Sequence, residues 1–327
     1  MEGWRIHVQK IALEEHFGLP ELPQYYAVGQ FGFRKADADD LNHRLQEFDD
    51  LRLKAMEEGG ISKQILGHSG PGIQAAQTVK QAVSDAKRIN DFLAAQVRRH
   101  PDKFGGFATV PLLSPEDAAD ELERCIRQLG FHGVMIDGHT HGHYLDEERY
   151  RVFWERLVDL DVPIYLHPTN AWQIPQNYQD HPELLGSLWG WTPETATHLL
   201  RLILAGVFDR FPTAQVIIGH GGEALPYWLW RLDTRLRLNH FETVSIRNNP
   251  SEYMRKNVFV TTSGLFHTPP LRCALETIGE DRIMFSVDYP FESSEDAGNW
   301  LDGVDLPTST KEKIAYGNAK RLLRITD

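Results

Sequence analysis

The chain has few cysteines, and it lacks any long apolar run. Only two cysteines, Cys125 and Cys273, occur in 327 residues, and both fall in segments with a helical pattern. Two thiols do not make a disulfide framework, so we expect buried thiols and a reducing cytoplasm. No apolar stretch approaches the roughly 20 residues that cross a bilayer, and residues 1–10 lack the apolar segment of a secretory signal. We therefore expect a cytoplasmic protein without membrane contact.

Positive charge is also scarce. The 34 Lys and Arg residues are outnumbered by 46 Asp and Glu residues, which gives a net charge of −12. A nucleic-acid partner requires a basic face, so this balance argues against one, although a local Arg can reverse the sign inside a pocket for a small anion. No Gly-x-Gly-x-x-Gly follows a predicted strand and no phosphate-binding loop is present, so a nucleotide site is not expected.

The recurring feature is a short, apolar, β-branched segment followed by a helical pattern. Such segments predict eight buried strands, at residues 10–13, 64–67, 104–110, 133–137, 163–167, 215–220, 257–261 and 282–286. Helical patterns between them include residues 39–58, 114–130, 146–160 and 311–323. Strands that alternate with helices form a parallel sheet; eight units close a barrel, whereas six or seven suit an open doubly wound sheet. We predict an α/β fold of one domain, a (β/α)8 TIM barrel over residues 10–327, preceded by an N-terminal arm of residues 1–9.

Residue types that bind metals follow several predicted strands. Glu14 and His16 come after the first strand, two positions apart, so their side chains share a face. His167, His220 and Asp288 follow the fifth, sixth and eighth strands. In a closed barrel these strand ends meet at one rim, and carboxylates with imidazoles but no thiolates suit Zn²⁺ or Mn²⁺, with Mg²⁺ less favoured. Taken singly, each His can instead make a structural hydrogen bond, and Asp288 can simply begin a turn.

Seven motifs spread over nearly the whole chain carry a family resemblance. In chain order they are ALEEHF (residues 12–17), GFHG (130–133), YLHP (165–168), GHGGEALPY (219–227), WRLD (230–233), TSG (262–264) and FSVDYPFE (285–292). In kind and order they resemble the amidohydrolase superfamily. Within that superfamily they are similar to the metal-dependent aromatic acid decarboxylases that act on γ-resorcylate, 2,3-dihydroxybenzoate and 5-carboxyvanillate.

This resemblance implies a ligand set and a reaction. Glu14, His16, His167 and Asp288 are the implied metal ligands, His220 lies beside the metal, and Asp288 is also the implied proton donor. The superfamily's hydrolases usually begin with His-x-His, whereas Glu14 adds a negative ligand that makes a metal a poorer activator of hydroxide. We therefore expect a reversible, non-oxidative decarboxylase of hydroxybenzoic acids such as 2,6- or 2,3-dihydroxybenzoate. A metal-dependent hydrolase of a lactone or amide, and a catalytically silent barrel used for binding, stay open.

Two further groups are expected to serve the chemistry. His220 is the expected relay partner of the proton donor, and Glu223 can orient its other ring nitrogen, unless Glu223 is simply a first-turn carboxylate favoured by the helix dipole. Arg52 and Arg231 are candidates for binding the anionic substrate, because a guanidinium matches a carboxylate. The resemblance carries Arg52 over from 5-carboxyvanillate decarboxylase. The alternatives are a surface ion pair of Arg52 with Asp49 or Glu58, and local bonding by Arg231.

Aromatic and histidine residues near the strand ends are candidates to line a substrate pocket. Trp189 and Trp191 can wall an aromatic ring or pack in the core, and His68 is either pocket-lining or structural. Phe291 stands where 5-carboxyvanillate decarboxylase has Tyr, which favours resorcylate-like or catechol-like acids. The loop at residues 139–147, in which His139 is the candidate pocket residue, resembles that of the 5-carboxyvanillate enzyme. The two cues conflict, so the substrate is left open.

One segment suggests contact between copies of the chain. Trp228, Trp230 and Leu232, followed by Arg235 and Arg237, can bury apolar surface against another subunit. Members of the resembled family assemble as tetramers built from dimers, so the resemblance implies a homo-oligomer, a dimer or a tetramer. The expected partners are thus a small aromatic carboxylic acid and further copies of the chain.

Overall fold

The strands form one parallel barrel. The computed structural model describes residues 8–26, 28, 33–239 and 241–326. Eight strands follow one another round the sheet in chain order, and they are β1 Lys10–Phe17, β2 Ile61–His68, β3 Phe104–Ala108, β4 Gly133–Asp137, β5 Ile164–His167, β6 Val216–Ile218, β7 Val258–Thr261 and β8 Ile283–Met284. The predicted single-domain (β/α)8 TIM barrel is confirmed. The arm at residues 1–9 stays a prediction, since residues 1–7 lie outside the described residues.

The segment after β8 pairs with β1 and closes the ring. The amide of His16 donates to the carbonyl of Tyr289 at 2.7 Å, and the amide of Asp288 donates to the carbonyl of Glu14 at 2.9 Å. Strand β1 itself is longer than predicted, because it runs on to Phe17 through a register shift against β2. Glu14 and His16 therefore lie within the strand and not after it. The hydrogen bonds of the sheet hold their backbone.

Helices connect the strands on the outside of the barrel. They are α1 Lys35–Gln46, α2 Leu51–Glu58, α3 Val79–Arg99, α4 Pro115–Leu129, α5 Arg151–Leu160, α6 Trp191–Leu204, α7 Val207–Arg210, α8 His220–Glu223, α9 Leu225–Leu238, α10 Pro250–Asn257, α11 Thr268–Ile278, α12 Ser294–Gly303, α13 Thr308–Glu312 and α14 Asn318–Leu323. The helix predicted over residues 311–323 is interrupted by a π-helical turn, Lys313–Gly317. Within the described ranges, none of the helices has the length and apolar character needed to cross a membrane.

Glu47 divides the helix that was predicted over residues 39–58. Its carboxylate accepts the backbone amides of residues 49–52 at 2.6 to 3.1 Å. These are amides at the start of a helix, which no earlier turn can satisfy. Consequently α1 ends at Gln46 and α2 begins at Leu51 as a separate helix.

The interior of the barrel is a packed core to which every strand contributes. Its strand residues are Ile11, Leu13, Ile65, Phe107, Met135, Tyr165, Ile217, Phe259 and Met284. A larger core fills the space between the strands and the outer helices. Tyr165 and His167 are two apart on β5 and share its inward face. The ring of Tyr165 packs 5.8 Å from the ring of Phe107, which leaves its hydroxyl free to reach the carboxyl end of the barrel.

Candidate metal centre

Three of the predicted ligands meet at the carboxyl ends of β1 and β5. Glu14, His16 and His167 are all buried, and each offers a ligand atom within 4.8 Å of the other two. Nε2 of His167 lies 3.6 Å from Oε1 of Glu14, and the rings of His16 and His167 meet edge to face with centroids 4.7 Å apart. The barrel thus brings residues that are far apart in sequence to one point.

Asp288 approaches the same point from the segment after β8. Its Oδ1 lies 3.1 Å from Nε2 of His16, and its backbone is fixed by the bond to the carbonyl of Glu14. Asp288 adopts a φ of 84°, which is uncommon for a residue with a side chain and is found at functional sites. The four predicted ligands therefore lie side by side, and their coordination of one ion stays a prediction.

The chemistry of these atoms fits a divalent cation. Oε1 of Glu14 and both ring nitrogens of His16 are buried and make no hydrogen bond with any described residue. Such orphaned polar atoms are costly, and a cation would satisfy Oε1 of Glu14 and one ring nitrogen of His16. Burial raises the pKa of Glu14, but the charges of His220, His167 and His16 lower it more, so the pKa lies well below its usual range. An ionised carboxylate with imidazoles is a suitable ligand set for Mn²⁺ or Zn²⁺.

His220 and Glu223 flank the cluster on an unusual turn. All five residues from His220 to Ala224 have positive φ angles, between 50° and 85°. Nε2 of His220 lies 3.4 Å from Oε1 of Glu14, so His220 is beside the ligands as predicted from the resemblance. Glu223 is buried, and burial raises its pKa to about 7. The described residues show no hydrogen bond between Glu223 and the His220 ring, so the predicted orienting role stays a prediction.

Two residues that sequence reasoning missed contact the ligands directly. Oδ1 of Asp137, at the end of β4, lies 2.9 Å from Nδ1 of His167. The hydroxyl of Tyr165 donates to Oε2 of Glu14. A ligand-type residue at the end of a predicted strand was a usable signal for Asp137. For Tyr165 the signal was its position two residues before a candidate ligand on one strand.

Arg52 is placed differently from its predicted role. Its side chain is fully buried, Nη2 donates to the carbonyl of His16 at 2.6 Å, and Nε donates to the carbonyl of Glu47 at 3.2 Å. The guanidinium also lies 4.6 Å over the ring of Tyr289. The alternative of a surface ion pair is wrong, because Arg52 has no exposed surface. Substrate contact by Arg52 stays a prediction, while the geometry favours a role in holding β1.

Three predicted pocket residues lie close to the ligands. The ring of Phe291 is 5.7 Å from that of His16, and the ring of Trp191 is 6.4 Å from that of His167. His68 is buried in edge-to-face contact with Phe17 at 5.3 Å, and burial lowers its pKa to about 4, so its ring is neutral. These positions suit the walls of a small pocket.

The other predicted substrate residues lie further out. Nε2 of His139 is 3.1 Å from the carbonyl of Asn170, in the loop that follows β5. Trp189 is half exposed, and Arg231 lies on the exposed side of α9. Substrate contact by His139, Trp189 and Arg231 stays a prediction. An open groove of about 1200 Å³ is lined by His220, Gly264, Tyr227 and part of α11, and none of the four predicted ligands is among its lining residues.

Fold and site together define a (β/α)8 barrel with a candidate metal centre at the carboxyl ends of its strands. The chain belongs to the amidohydrolase family, whose sequence pattern matches residues 16–325. It is 41% identical to the γ-resorcylate decarboxylase of Rhizobium radiobacter over an alignment of 330 residues. The alignment covers 97% of this chain and 98% of the relative. The resemblance to aromatic acid decarboxylases is therefore confirmed.

Solved structures agree with this assignment. A crystal structure of 2,6-dihydroxybenzoate decarboxylase complexed with 2,6-dihydroxybenzoate superposes with a TM-score of 0.92 at 39% identity, covering 97% of this chain and all of that one (100%). The dihydroxybenzoic acid decarboxylase of a Polaromonas species has a TM-score of 0.91 at 39% identity and covers 97% of each chain. That structure contains bound manganese and the inhibitor 2-nitroresorcinol.

Proposed function

We propose that this chain is a metal-dependent, non-oxidative decarboxylase of hydroxybenzoic acids with a hydroxyl ortho to the carboxylate, with 2,6-dihydroxybenzoate as the foremost substrate. The observation that carries the proposal is the convergence of Glu14, His16 and His167 with Asp288 at one rim of the barrel. Relatives of about the same length with that substrate in their names support the choice of acid. Manganese is the proposed ion, because a relative binds it and two carboxylates suit it; zinc is the alternative.

Glu14, His16, His167 and Asp288 would hold the cation. When bound, it would supply positive charge that offsets the anionic charge of the acid and stabilises negative charge on its ortho oxygen. The walls of the pocket would be formed by Phe291, whose ring lies beside His16, with Trp191 and His68. These apolar or neutral groups exclude water from the ring.

The reaction needs a proton on the ring carbon before CO₂ leaves, because expulsion of CO₂ otherwise leaves negative charge in the ring. The carboxyl of Asp288 is the proposed donor, since it lies at the rim beside His16. Burial lowers the pKa of His220, but the negative charge of Glu14 beside it raises that pKa well above its usual range. His220, whose Nε2 lies 3.4 Å from Oε1 of Glu14, is the proposed relay that returns a proton to Asp288. Glu223 is the proposed counter-charge to His220.

A second part of the proposal concerns assembly. In a single copy of the chain, the exposed side of α9 and the segment after it present large apolar side chains to solvent: Tyr227, Trp228, Trp230, Leu238 and Phe241. Contiguous apolar surface of this kind marks contact sites, and we propose that a second copy of the chain covers it in a homo-oligomer. Light scattering on the purified protein tests this, and a monomeric mass at micromolar concentration would contradict it. A cytoplasmic location stays a prediction.

The deciding experiment pairs product analysis with metal analysis on one sample. Metal-free protein is loaded with Mn²⁺ or Zn²⁺ and incubated with 2,6-, 2,3- and 2,4-dihydroxybenzoate and 5-carboxyvanillate, while CO₂ and the phenol are measured. We expect stoichiometric release of CO₂ and resorcinol from the 2,6 isomer, and carboxylation of resorcinol at high bicarbonate. Ring opening of a lactone with no CO₂ from any acid would support a hydrolase instead. Failure to take up any divalent metal would support a binding role.

A further inference from the structure

A row of three buried hydroxyls connects Glu14 to the backbone of His220. The hydroxyl of Tyr165 donates to Oε2 of Glu14 and lies 2.9 Å from Oγ1 of Thr261. Oγ1 of Thr261 lies 3.0 Å from Oγ of Ser263, which accepts the backbone amide of His220 at 3.0 Å. All three hydroxyl residues are buried. We call Tyr165, Thr261 and Ser263 the hydroxyl chain.

The two ends of the hydroxyl chain set its direction. A backbone amide can only donate, and an ionised carboxylate can only accept. Each hydroxyl carries one proton, so Ser263 must donate to Thr261, Thr261 to Tyr165, and Tyr165 to Glu14. Hydrogen bonds aligned in one direction polarise one another. The chain therefore presents a strengthened donor to Oε2 of the metal ligand.

The two carboxylate oxygens of Glu14 therefore have different surroundings. Oε2 is committed to Tyr165, whereas Oε1 faces Nε2 of His167 and of His220 and makes no hydrogen bond to any described residue. Gly219 permits this arrangement: a Cβ at that position would lie 2.6 Å from Oε2 and 2.9 Å from Oγ of Ser263. Oε1 is thus the oxygen of Glu14 that has no hydrogen-bond partner among the described residues and that a cation would satisfy.

At the other end the hydroxyl chain supports the turn that carries His220. The left-handed conformation of residues 220–224 is unfavourable for those members that are not glycine, so contacts from outside must hold it. Ser263, in the loop after β7, gives the amide of His220 its partner. An amide buried without a partner would be costly.

We propose that the hydroxyl chain is a positioning device, which fixes Glu14 as a one-oxygen metal ligand and holds the turn of His220 in a constant relation to it. Tyr165, Thr261 and Ser263 are positioning residues, since they act through Glu14 and His220. The inference rests on the proposed metal centre, but it does not depend on which acid is the substrate.

The first test is a calorimetric titration, in which MnCl₂ is added to metal-free protein and the Kd is measured. Tyr165→Phe removes one hydroxyl and keeps the ring, and we expect the Kd for Mn²⁺ to rise roughly 10- to 100-fold, as for the loss of other outer partners of metal ligands. Tyr150→Phe is the matched control, because Tyr150 is equally buried but lies outside this network; its Kd should not change. An unchanged Kd in Tyr165→Phe would overturn the proposal.

Thr261 offers a pair of variants that separates the hydroxyl from the shape of the side chain. Thr261→Val removes the hydroxyl at constant shape, and Thr261→Ser keeps the hydroxyl and loses the methyl group. We expect weaker Mn²⁺ binding in the first variant and near-normal binding in the second. The reverse order would mark Thr261 as a packing residue and overturn its place in the chain. This pair keeps the test decisive if Tyr165→Phe folds poorly.

A double-mutant cycle tests whether the two ends communicate. If Tyr165 and Ser263 belong to one directed chain, Tyr165→Phe with Ser263→Ala should weaken Mn²⁺ binding by less than the product of the single effects. Multiplicative losses would overturn the coupling. Because Mn²⁺ binding is the readout, the failure of the enzyme to release CO₂ from any acid would contradict the proposed function and leave this test intact.

Discussion

Nδ1 of His167 lies 2.9 Å from Oδ1 of Asp137, and the two residues are also register partners on neighbouring strands β5 and β4. A proton on Nδ1 would face this carboxylate and would leave Nε2, which lies 3.6 Å from Oε1 of Glu14, unprotonated. Burial lowers the pKa of His167, but the hydrogen bond and charge of Asp137 raise it more, so the net shift is upwards. A carboxylate behind an imidazole in this way fixes its tautomer and makes it a stronger metal ligand.

Replacing Asp137 should weaken metal binding without touching a ligand. In Asp137→Asn the side chain keeps its shape but loses its charge, and we expect the Kd for Mn²⁺ to rise roughly 10- to 100-fold. Calorimetric titration of metal-free protein measures this. The control is Asp146→Asn. The carboxylate of Asp146 forms an ion pair with Arg201 at 2.9 Å, and Asp146 is not one of the residues that contact the predicted ligands. Equal affinities in both variants would remove Asp137 from the metal centre.

Asp288→Asn tests the proposed proton donor. An amide cannot deliver the proton, so we expect kcat for 2,6-dihydroxybenzoate to fall on the order of 10²- to 10⁴-fold while the far-UV circular dichroism stays unchanged. Metal content is measured on the same sample, so that loss of the ion is distinguished from loss of the acid. Glu295→Gln, seven residues on and exposed, is the control and should keep its activity. A metal-loaded Asp288→Asn enzyme with nearly normal kcat would contradict the role.

The outline of the metal centre could be predicted because it depends on strand ends. In a parallel barrel the carboxyl ends of all strands share one rim, so the positions of Glu14, His16, His167 and Asp288 follow from strand assignment and the family resemblance. Strand boundaries that are correct to within one or two residues are sufficient to place these side chains at the rim. The predicted side chains lie close together even though β1 extends through Glu14 and His16 and β8 is only two residues long.

What could not be predicted depends on where side chains point. The helical pattern of residues 39–58 gave no sign that the carboxylate of Glu47 turns back to cap α2. The helical pattern places Arg52 on a helix, but only the structure shows its guanidinium bonded to backbone carbonyls. Likewise the reach of the Tyr165 hydroxyl to Glu14 follows from the width of the barrel, which no local pattern encodes.

Arg52→Met should lower stability more than substrate affinity. The change removes the guanidinium that donates to the buried carbonyl of His16 and to the carbonyl of Glu47, and we expect the free energy of unfolding to fall by about 3 kcal/mol. Denaturant unfolding of the metal-free protein measures it. Arg99→Met is the control, because Arg99 pairs with Asp49 at the surface and should cost about 1 kcal/mol or less. A large rise in KM at unchanged stability would instead restore the predicted substrate contact of Arg52.

His198 should make the protein sensitive to acid. Nε2 of its fully buried ring accepts the backbone amide of Leu145 at 3.1 Å, which requires an unprotonated nitrogen, and burial lowers the pKa of His198 to about 3. The unfolded chain binds this proton near pH 6.5 and the folded chain does not. Stability due to His198 is therefore complete above pH 6.5 and is lost as the pH falls towards 3, with a slope of at most about 1.4 kcal/mol per pH unit.

The test of this pH dependence is denaturant unfolding between pH 7.5 and 4.5 for the wild type and His198→Gln. Glutamine can still accept the amide of Leu145 through its carbonyl but does not titrate, so the variant should lose less stability on acidification. His181→Gln is the control, because His181 is an exposed residue paired with Glu183 and its replacement should leave the slope unchanged. Parallel curves for the wild type and His198→Gln would show that other groups cause the acid sensitivity.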